Sequence, residues 1–142
     1  MIIYFRSGGY KTFFVERVLV IEDDVPLCWL LERILKDKYE VTLMSNGLEA
    51  WSWLADGNSC DVIISDVNMP SLNGMELLEN LRNSGFFNHI PVIILSGLDE
   101  SKAACMALGA FRYLVKPFDP QKFLEDVKTA LESTRELHPS RD

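Results

Sequence analysis

Five short apolar runs rich in β-branched side chains recur along the chain, and each is followed by a stretch whose apolar residues repeat at helical spacing. The runs cover residues 18–21, 39–43, 62–64, 91–95 and 111–115. Their length and composition suit strands covered on both faces. Leu27, Leu30, Leu31, Ile34 and Leu35 then form one helical stripe, Ala50, Trp51 and Leu54 a second, and Leu77, Leu78 and Leu81 a third. A fourth helix is expected over 99–108, stopped by Gly109, and a fifth opens at Pro120 with Phe123, Leu124, Val127 and Leu131 facing inward. Trp29 and Trp53 fall off their stripes, and Trp53 is expected to point outward. Strands and helices alternating in this way imply right-handed crossovers, a five-stranded parallel sheet and helices on both of its faces, a doubly wound α/β fold. A chain of 142 residues has room for one such domain, here residues 17–133, and not for a second.

Two segments lie outside this rhythm. Residues 1–16 form an N-terminal extension of uncertain structure, with Ser7-Gly8-Gly9 between two aromatic, β-prone runs. A small hairpin, an extra strand or a loosely fixed tail all suit it, and the general behaviour of termini favours the tail. Residues 134–142 are read as a C-terminal tail, frayed over 138–142.

The C-terminal ends of parallel strands share one rim of the sheet, so the residues that follow each strand meet in space. The first strand delivers Glu22 and Asp23, the third Asp66, the fourth Ser96 and the fifth Lys116. Taken singly, each is an ordinary turn, cap or strand exit. Together they place three carboxylates, a hydroxyl and an ammonium on one rim. Crowded carboxylates repel and raise one another's pKa, so the cluster makes best sense around a cation. An all-oxygen donor set suits Mg2+ and not zinc. With that ion present, Asp66 is a candidate carboxylate nucleophile towards phosphorus, and Lys116 and the Ser96 hydroxyl are candidate partners for phosphoryl oxygens.

A formal net charge of −7 argues against general attraction to DNA or to anionic membranes. Cys28, Cys60 and Cys105 contain no C-x-x-C pair, which favours neither a disulfide framework nor a zinc site and points to a reducing, cytoplasmic setting. The apolar runs are too short to span a bilayer, and no membrane association is expected.

The segments Val18-Leu19-Val20-Ile21-Glu22-Asp23-Asp24, 61–74, 92–97 and Tyr113-Leu114-Val115-Lys116-Pro117-Phe118 resemble, in this order, the receiver domains of response regulators in two-component signalling, the CheY-like family. The resemblance covers about residues 17–133. It implies a flavodoxin-like (βα)5 fold with strand order 2-1-3-4-5. It further implies that Asp66 takes a phosphoryl group from a sensor histidine kinase or a phosphotransfer protein, in a Mg2+-dependent reaction. Glu22 and Asp23 match the family's acidic pair, with glutamate in place of the commoner aspartate and its longer arm reaching the metal through bound water. Asn68 matches the residue whose backbone carbonyl completes the metal shell. Ser96 matches the switch hydroxyl, Lys116 the family lysine, and Tyr113 the aromatic that turns inward on activation. Asn68 and Leu98 occupy positions that tune the lifetime of the phosphorylated form. The output face would be the fourth helix, fifth strand and fifth helix, read by an unknown downstream protein.

Such a protein is a single-domain switch, not an enzyme, catalysing only its own phosphorylation and slow dephosphorylation. No DNA-binding domain is expected, and the family implies a monomer or weak homodimer. Trp29, on the helix beside the acidic rim, is a candidate partner contact. Two departures stand out: the span from Ser96 to Lys116 is short for the family, and Phe111-Arg112 replaces the acidic pair common in DNA-binding regulators. Two other classes compete. One is a scaffold that keeps the fold without the chemistry, against which the complete site argues. The other is an aspartate-nucleophile phosphatase, which pairs its nucleophile with an acid two positions on, where this chain has Asn68.

Overall fold

A computed structural model describes residues 2–5 and 11–137, with side chains from 15 to 134. Strands β1 (Ile2–Phe5) and β2 (Lys11–Phe14) pair antiparallel, with Ile2 opposite Phe14 and Phe5 opposite Lys11. The two described segments of the N-terminal extension thus pair as the arms of a hairpin would. The expected fraying over 138–142 lies outside the described residues.

The remaining strands are β3 (Arg17–Ile21), β4 (Glu40–Met44), β5 (Val62–Asp66), β6 (Val92–Ser96) and β7 (Arg112–Val115). They pair in parallel in the order β4-β3-β5-β6-β7, which is 2-1-3-4-5 counted within this sheet. Helices α1 (Val25–Leu35), α2 (Gly47–Ala55), α3 (Gly74–Arg82), α4 (Lys102–Ala107) and α5 (Pro120–Leu137) connect and follow them. All five residues of β5 and of β6 are buried, as central strands clad on both sides require.

The strand period of two sorts the core into two layers. Leu19, Ile21, Ile63 and Ile94 pack with Ala50, Leu54, Leu77, Leu78, Leu81 and Cys105 on the side of α2, α3 and α4. Val18, Val20, Ile64 and Ile93 pack on the other side with Leu31, Leu35, Phe123, Val127 and Leu131 of α1 and α5.

Three elements differ from expectation. Leu30 is 46% exposed, because the buried face of α1 centres on Leu31 and Leu35 with Leu27 and Ile34 at its edges. Trp53 is partly buried against the α2–α3 core layer and does not point outward. Helix α5 runs past Ser133 to Leu137, with Thr134 buried and its hydroxyl bonded to the Ala130 carbonyl, so the helix takes in the start of the expected tail. The short span after Ser96 shows in α4, which has six residues and lacks a side-chain cap from Ser101. Gly109 (φ 96°) ends it in the left-handed conformation that favours glycine.

Candidate functional site

The parallel ladder ends unevenly, and the uneven ends build the site. Glu22 continues β3 by one bond, its N–H donating to the Met44 carbonyl (2.9 Å). Asp66 is the last residue of β5 and pairs in register with Leu95 of β6. Ser96 closes β6, and its carbonyl accepts the Lys116 N–H (2.7 Å), which sets Lys116 immediately beyond β7.

The helix starts fix the loops around this rim. Asp24 caps α1 by accepting the Leu27 N–H (3.1 Å). Asn73 and Glu76 form a reciprocal capping box on α3, which anchors the loop that leaves Asp66. That loop turns through Ser71 (φ 52°) and Leu72 (φ 67°), both left-handed without glycine's freedom. Glycine is placed where the loop touches its neighbours: a Cβ on Gly74 would lie 2.3 Å from the Asp66 carbonyl oxygen, and one on Gly47 would lie 2.1 Å from that of Leu72. Both glycines follow helix caps: Asn46 and Asn73 accept the N–H of Glu49 and Glu76, three residues on.

Four of the expected residues converge closely. One carboxylate oxygen from each of Glu22, Asp23 and Asp66 lies within 4.8 Å of the others. The Lys116 ammonium pairs with Glu22 Oε1 at 2.8 Å and with Asp66 Oδ2 at 3.4 Å. Asp66 Oδ1 accepts the Asn68 N–H (3.3 Å), and Glu22 Oε2 accepts the Asp24 N–H (3.2 Å). Asp23 is exposed, whereas Glu22 and Asp66 are buried.

Burial raises the Glu22 carboxyl above the ordinary glutamate value, and the hydrogen bonds from Lys116 and the Asp24 amide oppose it. At Lys116 burial works against the charge, but the bond to Glu22 and the charge of Asp66 outweigh it and raise the ammonium. The two shifts differ in balance because the Glu22 side chain is 2% exposed and that of Lys116 24%.

Ser96 and Tyr113 stand on the other flank. Ser96 is buried, and its Oγ accepts the Leu98 N–H (3.2 Å). Tyr113 is 7% exposed, and its hydroxyl donates to the Leu98 carbonyl. The Leu98 backbone thus donates to Ser96 and accepts from Tyr113. This escaped the sequence reading, because a backbone contact leaves no mark on residue type. Trp29 is 67% exposed on α1 beside Val25 and Leu30, which are also exposed.

The donor set is all oxygen and spaced for a hard divalent ion, so the rim fits Mg2+. No helix among the described residues is long and apolar enough to cross a membrane.

Comparison with known proteins agrees with this geometry. A sequence profile of the response regulator receiver domain matches residues 18–128. Chemotaxis protein CheY1 of Helicobacter pylori is 31% identical over 119 residues, which cover 81% of this chain and 96% of that protein. The probable transcriptional regulator ycf29 of Pyropia yezoensis is 35% identical over 118 residues, 81% of this chain, but the chain spans only 53% of its length. Among solved structures, the chemotaxis response regulator CheY4 of Vibrio cholerae superposes with a TM-score of 0.75 at 33% identity, over 83% of this chain and all of that one. A response regulator receiver domain protein from Clostridium thermocellum gives 0.77 at 31% identity, over 87% and 99%.

Proposed function

The chain belongs to the response regulator receiver domain family, a family of signalling switches, and on that premise we propose that Asp66 accepts a phosphoryl group from a histidine kinase or phosphotransfer protein. The observation that carries this reading is the convergence of Asp66 with two further carboxylates and the Lys116 ammonium at the C-terminal rim of a parallel sheet. A carboxylate oxygen of Asp66 forms the new O–P bond. The P–N bond of the donor phosphohistidine breaks, and its imidazole nitrogen leaves with the bonding pair. Asp23, Asp66 and the Asn68 backbone carbonyl would hold Mg2+, with Glu22 adding negative charge beside it. The ion supplies charge neutralisation at the phosphoryl oxygens. Lys116 and the Ser96 hydroxyl bind the same oxygens from the protein side.

Drawing Ser96 towards a phosphoryl group removes its bond to the Leu98 amide and loosens the segment that Tyr113 holds through the Leu98 carbonyl. The change is then read on the face of α4, β7 and α5. Exposed Trp29, with Val25 and Leu30, forms an apolar patch on α1 suited to the phosphodonor protein. The test is intact mass after incubation with Mg2+ and a small acyl phosphate. The wild type gains one phosphoryl group and Asp66→Asn gains none; a wild type that stays unlabelled refutes the reading.

A further inference from the structure

Strands β1 and β2 have no part in the site at the C-terminal rim. Their residues are Ile2-Ile3-Tyr4-Phe5 and Lys11-Thr12-Phe13-Phe14, apolar or aromatic except for Lys11 and Thr12. Among the described residues the pair forms a sheet of its own, unjoined to the five-stranded one. Two strands alone are marginal in water and need a third strand or a packed surface to persist. Only Val15 and Glu16 connect β2 to β3, and Glu16 is buried, with its carbonyl accepting the Glu40 N–H (3.0 Å). The pair therefore leaves the domain at the N-terminal edge of the sheet, the edge opposite Asp66. One remaining residue spans at most about 3.6 Å, too little to lay the pair back over its own helices.

An exposed ring stands at that same edge. Phe86 is 82% exposed in the loop between α3 and β6. Its position is fixed: the Ser84 Oγ accepts the Phe86 and Phe87 N–H groups (3.1 and 3.2 Å), and Phe87 packs edge-on against Trp51 of α2, 5.8 Å between ring centroids. Exposed Asp56 caps the end of α2 and exposed Glu79 lies in the last turn of α3, whereas Arg82 turns inward and donates to the Asn88 and Ile90 carbonyls. The edge thus offers an aromatic anchor among carboxylates. Residues 1–14 carry Arg6 and Lys11 and no acid. The two are complementary in charge and in apolar character, yet Phe86 stays uncovered within a single copy.

We infer that the β1–β2 pair docks on the Phe86 edge of a second copy, and that copy's pair on the first, to form a two-fold dimer. Aromatic side chains bury about 150–250 Å² each, so Tyr4, Phe5, Phe13 and Phe14 of both copies reach the roughly 1,200–2,000 Å² of a stable interface. Reciprocal exchange of one element is a low-cost route to a closed dimer. The contact lies across the sheet from Asp66 and does not rest on the phosphoryl chemistry.

The test is sedimentation velocity on the whole chain from micromolar to submillimolar concentration. The wild type passes from monomer to dimer as concentration rises and goes no further. Phe86→Asp and the double variant Phe5→Asp/Phe13→Asp each stay monomeric while circular dichroism shows them folded, and Phe86→Ser repeats the first result without adding a charge. Mixing Phe86→Asp with Phe5→Asp/Phe13→Asp restores a dimer at the highest concentration, weaker than that of the wild type, because one intact pair then meets one intact edge. A wild type that stays monomeric overturns the inference, as does association that continues beyond the dimer. A dimer that survives the Phe86 substitutions shows strands pairing with strands and overturns it, and one that survives the strand substitutions overturns it too. A mixture that stays monomeric refutes the exchange.

Discussion

Replacing Gly74 with alanine tests whether the backbone that leaves Asp66 has any slack. Gly74 opens α3, and its N–H donates to the Val67 carbonyl (3.0 Å). The added Cβ would lie 2.3 Å from the Asp66 carbonyl oxygen and 2.9 Å from the Val67 Cα. Both are main-chain atoms, so no rotamer change relieves the overlap. Ordinary non-bonded contact is about 3.5 Å, so the end of β5 or the start of α3 must move by roughly 1 Å. Overpacking a filled interior costs about 1–3 kcal/mol. Alanine's helix preference over glycine offsets at most about 1 kcal/mol of this, and less at a first helical position. A net loss of about 1–2 kcal/mol corresponds to a fall in Tm of roughly 3–8 °C for a domain of this size. A shift of about 1 Å at a reacting group is worth up to about 100-fold in rate, so labelling by acyl phosphate should slow by roughly 10- to 100-fold. Urea unfolding and timed intact-mass labelling measure the two effects. Gly85→Ala is the control, since nothing lies within 4 Å of its Cβ, and it should stay within about 0.5 kcal/mol of wild type. A Gly74→Ala protein that matches Gly85→Ala in both assays would refute the steric argument.

Two further outcomes follow from the same contacts. The Lys116 ammonium is raised above 10.5 in the folded protein; burial opposes the charge, and the bonds to Glu22 and Asp66 prevail. A raised folded-state value means that the stabilisation is complete below the unfolded value and is lost as pH climbs through the folded one. The urea-midpoint gap between wild type and Lys116→Gln should therefore be widest near neutrality and narrow above pH 10.5, and a gap that stays constant through that range contradicts it. Tyr113→Phe removes the hydroxyl that donates to the Leu98 carbonyl. It should cost about 1 kcal/mol in unfolding free energy and speed amide exchange around Leu98, and unchanged exchange there would show that the bond does not hold the segment.

The sheet was legible because its strands obey one periodicity throughout. Val18 and Val20 go to one layer and Leu19 and Ile21 to the other, as alternation alone dictates. The rim was legible for a topological reason: parallel strands deliver their next residues to the same edge, whatever their separation in sequence. Helix faces were read less well at their margins. Leu30 belongs to the α1 stripe by spacing but sits where the helix turns away from the sheet. Trp53 flanks the buried Ala50 and Leu54, and its large ring reaches back to the core from a position that a smaller residue would leave in solvent. Spacing fixes an angle around the helix axis and says nothing of side-chain reach. Within the site, residue types announced the carboxylates and the lysine, but not that Lys116 sits closer to Glu22 than to Asp66. That preference depends on the length of the Glu22 side chain and on bonds that reach it both from the neighbouring Asp24 amide and from Lys116, remote in sequence.

The two flanks of Asp66 are built to different tolerances. On one side the loop to α3 is held by a capping box, by the Leu48 N–H donating to the Ser71 carbonyl (3.1 Å), and by two glycines against which backbone packs directly. Two left-handed residues there cost of order 1–3 kcal/mol each, and such strain persists only where the surroundings over-determine the conformation. Asp66 and the Asn68 backbone are thereby preorganised. On the other side, Ser96 and Tyr113 each hold the Leu98 backbone by a single hydrogen bond, and the helix that follows has six residues and no side-chain cap. An isolated helix of that length is well below the size at which helices are stable in water. A charge added at Asp66 would therefore meet a rigid wall towards α3 and a yielding one towards α4, and the rearrangement of lowest cost would run through Leu98 and not through Asn68.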